Sequence, residues 1–289
     1  MSTVARFASV FRMPILVGLI VFLLTAIGCT GASGGTLVTN TAAMVKPIVL
    51  SLSGSGSTTL ILEAIKPAFE ADTPGIQLDI LSGTGTSSAM KGLLQKTIDI
   101  VAMARLLKPE EVEQNIKYVS LGRASQAILV HPNVHITNLT SRQVLGIFAG
   151  DITNWLQVGG ADAEIILYVR DEGDSTTEAL RKNILHNVPF PERTARILTS
   201  QKAMQTAIAG TPASVGIGTW SAVVAAKAKV QPVAVDGVSP KDPRYSMFSP
   251  LGIGYLAERQ ADLQPLIDWL MSARGRTALM ALDLFLSPP

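Results

Sequence analysis

The sequence predicts an α/β fold with mostly parallel strands. From residue 47 onward, short apolar runs alternate with stretches in which apolar residues recur at helical spacing. Several of the transitions from an apolar run to a helical stretch are loops of Gly, Ser and Thr. This order of elements is typical of strands that lie side by side and are connected by helices.

The elements follow in a regular order along the chain. Strands are predicted at 48–52, 76–81, 98–102, 165–169 and 214–218. A first helix carries apolar residues at 60, 64, 65, 68 and 69 and ends before Pro74, and a second helix spans 87–96. A later helix begins at a capping box of Thr140 and Gln143 and ends at Gly150. Residues 263–284 predict one or two further helices.

The first 29 residues are typical of a signal peptide and lie outside the predicted fold. Arg6 and Arg12 give a basic start, and an uncharged apolar run from 13 to 28 ends in small residues before Cys29. This ending resembles a lipobox, which makes Cys29 the predicted site of lipid attachment, although Ala26 stands where such boxes usually carry Leu. The alternatives are an uncleaved anchor and an ordinary signal peptide. Residues 30–46 are small and polar, and they predict a flexible tether.

Composition excludes several classes of function. The chain has 24 basic and 22 acidic residues, and removal of Arg6 and Arg12 with the signal peptide leaves 22 of each, so the mature net charge is zero. A nucleic-acid partner is therefore not expected. Cys29 is the only cysteine, which excludes disulfides and cysteine-based metal sites from the mature chain. His131 and His135 are separated by Pro132 and predict no metal site. No cofactor is expected.

Three loops between a strand and a helix are candidates for holding an anion. The first loop reads SGSGSTT over 53–59, the second reads SGTGTSS over 82–88, and the third reads RDEGDSTTE over 170–178. Glycines let successive N–H groups converge, hydroxyls add donors, and a helix directs its positive end at the same point. Arg170 adds a permanent charge that binds two oxygens at once. Ser175 and Glu178 predict a capping box. None of the loops has the ending of a nucleotide P-loop.

The sequence resembles the phosphate-binding proteins of bacterial phosphate ABC transporters, within the periplasmic binding proteins. The resemblance covers nearly all of the mature chain. Its most specific stretch is LTSRQVLGIFAGDITNW at 139–155, which is similar to the helix and F-x-G-x-I-x-x-W turn of the family's second domain. This stretch is a structural signature and names no ligand contacts.

The resemblance implies which residues contact the anion. Family members bind it with the loop after the first strand, with a serine-rich loop after the second strand and with an Arg-x-x-Gly-Ser-Gly-Thr segment. Matched by motif, the expected contacts are Ser57, Thr58, Thr86, Ser87, Arg170, Ser175 and Thr176. Asp174, which departs from the motif, is added to the candidate contacts. No catalytic residue and no metal ligand are expected.

Two departures from the family pattern bear on the choice of ligand. Asp174 stands where the third segment usually has a hydroxyl, and residues 103–105 read Met-Ala-Arg where the family often has Ser followed by Asp or Arg. Asp174 could accept the proton of hydrogen phosphate and repel sulfate, or it could cap the helix and face solvent. Arg105 could line the binding site or lie on the surface.

The resemblance also implies a two-lobed type II periplasmic-binding-protein fold. Its two mixed sheets would be flanked by helices and joined by two crossover strands near 120–127 and 249–255. Lobe 1 would comprise 47–124 and 250–289, and lobe 2 would comprise 125–249, with the anion in the cleft between them.

The expected function is the capture of phosphate for an ABC importer by an exported, lipid-anchored monomer in the cell envelope. Its partners would be the permease subunits of the transporter and, through the lipid, the membrane. The alternatives are a binding protein for sulfate, molybdate or tungstate, a phosphate sensor, and an exported phosphatase. A phosphatase would need an activated nucleophile or a metal, and the sequence shows no His beside a candidate Ser and no carboxylate cluster.

Overall fold

The computed structural model describes residues 47–286, and these form alternating strands and helices. The predicted signal peptide, Cys29 and the tether lie outside the described residues. The strands are β1 Ile48–Gly54, β2 Ile76–Ile80, β3 Ile100–Met103, β4 Ile116–Val130, β5 Asn138–Leu139, β6 Ile166–Arg170, β7 Arg196–Leu198, β8 Ser214–Thr219, β9 Gln231–Val235 and β10 Phe248–Leu256.

Nine α-helices are found in the described part of the chain. They are α1 Gly56–Asp72, α2 Thr86–Leu94, α3 Pro109–Glu113, α4 Ser141–Ala149, α5 Ser175–Leu180, α6 Gln201–Gly210, α7 Trp220–Ala225, α8 Gln260–Met271 and α9 Ala273–Met280. The α/β prediction is confirmed, and the predicted strands agree with the observed ones to within about two residues at each end. None of the helices at 47–286 is long and apolar enough to cross a membrane.

The strands form one continuous path of hydrogen-bonded neighbours. The order is β2-β1-β3-β10-β4-β8-β6-β7, and β5 and β9 pair beside this path. β1 is parallel to β2 and β3, and β6 is parallel to β7 and β8. β10 is antiparallel to β3 and β4, and β4 is antiparallel to β8. Parallel strands connected by helices therefore stand on both sides of an antiparallel pair.

The antiparallel pair of β4 and β10 links the two halves of the path. β4 has 15 residues, and its part from Ile116 to Ser125 pairs with β10 while its end from Gln126 to Val130 pairs with β8. The segments 120–127 and 249–255, where crossover strands were expected, lie within these two strands.

Four separate apolar clusters, two large and two small, lie between the described strands and helices. The first cluster joins residues from 50–124 with residues from 251–284, and Phe69 packs edge-on against Trp269 at 5.7 Å. The second cluster is drawn from 128–247 and includes the fully buried Phe148 and Trp155. Residues that lie far apart in the chain therefore share the first cluster, because β10 returns the chain to β3.

The helix signals read from the sequence around α4 are confirmed. Thr140 is the N-cap and its Oγ1 accepts a hydrogen bond from the N–H of Gln143 at 3.1 Å, while the Gln143 side chain accepts from the N–H of Thr140 at 2.8 Å. Gly150 ends the helix in the left-handed conformation with φ of 85°. The positions of Thr140 at the start and Gly150 at the end thus set the length of α4.

Candidate functional site

A cavity of about 600 Å³ lies where the strands β1, β2, β3, β6 and β7 end. Every segment of its wall follows one of these five strands. In the carboxyl-end loops of parallel strands, N–H groups and helix starts face a common space, which is the usual place for a ligand. The wall consists of Ser55, Gly56, the run from Gly83 to Ser88, Ala104, Arg105, Lys108, Arg170, Asp171, Gly173, Asp174, Ser175, Glu178, Thr199, Ser200 and Gln201.

The first two loops pack directly against each other and against β3. A Cβ atom added to Gly54 would lie 2.0 Å from the carbonyl oxygen of Ala102, and one added to Gly83 would lie 2.9 Å from the Cα of Gly56. The N–H of Ser55 donates to the Ala102 oxygen at 2.8 Å, and the N–H of Gly85 donates to the Gly54 oxygen at 2.9 Å. Only glycine allows backbones to approach this closely, so the glycines bring the starts of α1 and α2 together.

In the first loop, the two predicted contact residues, Ser57 and Thr58, are not among the residues that line the cavity. Ser57 is buried, with its hydroxyl 2.9 Å from that of Ser55, and the Thr58 hydroxyl donates to the Met103 oxygen at 2.9 Å. Ser55 and Gly56 line the cavity in their place. Ser57 thus contacts the cavity wall only indirectly, through its hydrogen bond with Ser55, and Thr58 connects α1 to β3 by a hydrogen bond.

In the second loop, both predicted residues line the cavity. Thr86 and Ser87 form the first turn of α2, and Gly85 precedes them with φ of 87°. The first N–H groups of a helix have no partner within it, so this turn presents backbone donors and two hydroxyls to the same space. The Thr86 hydroxyl also accepts a long hydrogen bond of 3.4 Å from the N–H of Ala104, at the end of β3.

In the third loop, Arg170 is a buried cation in the cavity wall. The residue is 8% exposed, its Nη1 donates to the Leu198 oxygen at 3.1 Å, and its Nη2 donates to Oδ2 of Asp174 at 2.6 Å. Its Nε is buried and has no hydrogen-bond partner in the structure. A buried donor without a partner is costly, so this nitrogen is suited to bind an acceptor in the cavity.

Asp174 has two roles in the structure, and the predicted capping box is wrong. Asp174 is the N-cap of α5, because its Oδ1 accepts hydrogen bonds from the N–H of Thr176 at 2.9 Å and from the Thr176 hydroxyl. Ser175 is therefore the first helical residue and not the cap. The carboxylate of Asp174 also lines the cavity and orients Arg170. Ser175 lines the cavity as well, whereas Thr176 is buried behind it.

Arg105 lines the cavity and is fixed by a bidentate ion pair. Its Nη1 and Nη2 donate to the two carboxylate oxygens of Glu111 at 2.8 and 2.6 Å. The hydrogen bond from Arg105 holds the pKa of Glu111 below its ordinary value of 4.5. The N–H of Lys108 donates to Oε2 of Glu111 at 2.9 Å and also lowers this pKa. The side chains are 24% and 9% exposed. Arg105, fixed by this pair, and Lys108 add two basic groups to the cavity wall.

Glu178 is an acid in the same wall. It is exposed to solvent, yet loss of hydration at the cavity and the neighbouring Asp174 carboxylate raise its pKa, against the opposing effect of Arg105 and Lys108. The lining includes three basic and three acidic residues, Arg105, Lys108 and Arg170 against Asp171, Asp174 and Glu178. Formal charges therefore balance, and the binding of an anion here would depend on directed donors more than on net charge.

The sequence prediction missed the segment from Thr199 to Gln201 at the start of α6. Ser200 is the N-cap, and its Oγ accepts from the N–H of Ala203 at 3.1 Å. The available signal was a serine before a helical pattern. The strand before it, β7, has only three residues and no fully buried side chain, so the sequence shows no apolar run that would predict a strand there.

Among the described residues, no group of three or more His, Cys, Asp or Glu side chains is arranged to hold a metal ion. The residues that line the cavity carry backbone N–H groups at helix starts, hydroxyls, the Gln201 carboxamide, the cations Arg105, Lys108 and Arg170, and three carboxylates. This set can hold an oxyanion through hydrogen bonds.

The family model of the PBP superfamily domain matches residues 32–274. The chain belongs to the PBP superfamily. A structure of a Clostridium perfringens protein, solved with bound phosphate, superimposes with a TM-score of 0.70 at 26% identity and covers 83% of this chain and 100% of the other. The type II fold and the family resemblance read from the sequence are thereby confirmed.

Two curated relatives are phosphate-binding proteins by name. The phosphate-binding protein PstS of Borreliella burgdorferi is 27% identical over 140 residues, which are 48% of this chain and 50% of the relative. The phosphate-binding protein PstS of Bacillus subtilis is 25% identical over 198 residues, 66% of this chain and 63% of the relative. These alignments thus span between half and two thirds of the relatives' own length.

We expect Glu111→Gln to lower the free energy of unfolding by about 1–3 kcal/mol at neutral pH, because it breaks hydrogen bonds to a charged group. Since the folded-state pKa of Glu111 is lowered, its contribution is complete above its ordinary value of 4.5 and is lost as the pH falls through the lowered pKa. Urea unfolding across this pH range checks the prediction, with the exposed Glu110→Gln as the control. A decrease in the free energy of unfolding that is the same at all pH values would contradict the prediction.

Proposed function

We propose that this protein captures inorganic phosphate, or a similar tetrahedral oxyanion, for an ABC importer, and that it binds without catalysis. The observation that carries the proposal is the buried Nε of Arg170, which faces no acceptor in the protein and belongs to a side chain in the cavity wall. The starts of α1, α2 and α5 direct their N–H groups at the same space. The named relatives and the phosphate-bound C. perfringens protein support phosphate as the ligand.

The donors are sufficient for a useful affinity. A hydrogen bond to a charged group contributes roughly 1.5–3 kcal/mol. Five or six such bonds could offset the cost of removing the anion from water and leave the approximately −8 kcal/mol that corresponds to micromolar binding. Arg170 is held in place by Leu198 and Asp174 before the ligand arrives, so little further ordering is required.

The proposal includes two lobes, 47–124 with 250–289 and 125–249, that close around the ligand. The two largest apolar clusters support this division, since one draws on 50–124 and 251–284 and the other on 128–247. β4 and β10 would be the hinge strands because, among the strands and helices at 47–286, these two have residues in both clusters. Closure would exclude water from the cavity and strengthen each hydrogen bond.

The proposal places the protein outside the cytoplasm, tethered to the membrane by lipid on Cys29. Its support is the sequence of residues 1–46, with a basic start, an apolar run and small residues before the cysteine. The C. perfringens protein is named as a phosphate ABC transporter substrate-binding protein, which supports the permease of such a transporter as the partner. The protein would act as a monomer, and the same binding could serve sensing in place of transport.

Selectivity is assigned to Asp174. Its carboxylate lies in the cavity wall next to Arg170, where it could accept the proton that hydrogen phosphate carries. A fully ionised anion such as sulfate has no proton to donate and would meet an uncompensated like charge. This argument favours phosphate over sulfate, molybdate and tungstate.

Arg170→Ala should weaken phosphate binding by about 2–5 kcal/mol, which is the range for removal of one partner from a buried charge contact. Isothermal titration calorimetry measures the change. Arg181→Ala is the matched control, because Arg181 forms its ion pair with Glu172 and does not line the cavity. Unchanged affinity in Arg170→Ala would remove Arg170 from the site.

Asp174→Asn should raise the affinity for sulfate roughly tenfold or more relative to that for phosphate, because a like-charge repulsion of about 1.4 kcal/mol or more is removed. Asparagine also caps helices well, so α5 should remain folded. Thermal-shift titrations with phosphate, sulfate and molybdate at an acidic and an alkaline pH measure the ratio. If the ratio of sulfate affinity to phosphate affinity is the same in Asp174→Asn and in the wild type, Asp174 only caps α5 and orients Arg170.

A further inference from the structure

The start of α6 touches the start of α1 inside the cavity. A Cβ atom added to Gly56 would lie 3.5 Å from the Cβ of Gln201 and 3.7 Å from its backbone nitrogen. Gly56 in turn contacts Gly83 of the second loop. An anion held by the first and second loops would therefore lie next to the first turn of α6.

Gln201 carries an unused donor at this position. The residue is 4% exposed, lines the cavity, and has a buried Nε2 without a hydrogen-bond partner in the structure. Gly218 leaves room for the carboxamide, because a Cβ atom added there would come within 2.7 Å of Nε2. Burial of an amide donor without a partner costs about 1–3 kcal/mol, and a ligand that accepts from it would remove this cost.

The backbone of α6 adds donors of the same kind. The Ser200 hydroxyl accepts from the N–H of Ala203, so the N–H groups of Gln201 and Lys202 are those of the first turn that have no acceptor within the helix. The helix has ten residues, and its dipole favours negative charge at this end.

We propose that Gln201 binds the oxyanion directly and that the start of α6 is a fourth anion-binding segment, beside the three that the sequence indicates. This inference rests on the proposed function and extends its site by one residue. A carboxamide adds a donor and no charge, so it strengthens binding without disturbing the charge balance of the cavity. It also joins α6 to α1 through the ligand, across the proposed cleft.

Gln205 provides an internal control. It lies one turn further along α6, is 3% exposed, and also has a buried Nε2 without a partner, but it does not line the cavity. The two glutamines thus share residue type, burial and helix, and differ in contact with the cavity. A purely structural effect of losing a buried carboxamide should be the same at both positions.

The test is isothermal titration calorimetry with inorganic phosphate on the wild type and on four variants, namely Gln201→Met, Gln201→Glu, Gln205→Met and Gln205→Glu. Gln201→Met should bind phosphate about ten- to a hundredfold more weakly, the factor that corresponds to one hydrogen bond to a charged group. Gln201→Glu should bind still more weakly, because a carboxylate repels the anion. Both Gln205 variants should remain within about threefold of the wild type, as expected for a distant site.

Thermal unfolding of the same proteins separates binding from folding. Methionine has a similar size and removes an unpaired buried polar group, so Gln201→Met should be at least as stable as the wild type. Equal affinity of Gln201→Met and the wild type, or equal weakening at positions 201 and 205, would overturn the inference while leaving the proposed function in place. A wild-type protein that binds no phosphate would overturn both.

Discussion

The arrangement of the site depends on the close approach of backbones that only glycine permits. Gly54 leaves space for the carbonyl of Ala102, and Gly83 leaves space for Gly56. These contacts hold the starts of α1 and α2 side by side at the ends of β1, β2 and β3. A methyl group at Gly54 would overlap the neighbouring strand and force the loops apart. The convergence of N–H groups, and with it any affinity for an anion, follows from this packing.

Under the proposed function, electrostatics would then determine which anion the cavity accepts. Arg170 and Arg105 are each held by a carboxylate, Asp174 and Glu111 respectively, so both cations are positioned before a ligand binds. The paired carboxylates also prevent a large excess of positive charge. Under the proposed function, such a site would discriminate between anions by the number and direction of its donors, and by an acceptor role of Asp174, more than by simple attraction.

The architecture could be predicted from the sequence because the apolar runs and the helical spacing of apolar residues follow directly from which side chains are buried. It was sufficient for the positions of the loops after β1, β2 and β6, since Gly, Ser and Thr cluster there. It did not show that Ser55 and not Ser57 faces the cavity, because rotation at a helix start depends on tertiary contacts such as that of Thr58 with Met103. It did not show Gln201, because β7 is short and polar and the contact with Gly56 joins residues 145 positions apart.

A crystal structure of the protein grown with phosphate would test the central claim most directly. The account predicts one tetrahedral anion in the cavity, within hydrogen-bond distance of Arg170 Nε, of backbone N–H groups at the starts of α1 and α2, and of the Gln201 carboxamide. An anion bound at another place, or an anion held in this cavity without contact to the glycine-rich loops, would contradict the account.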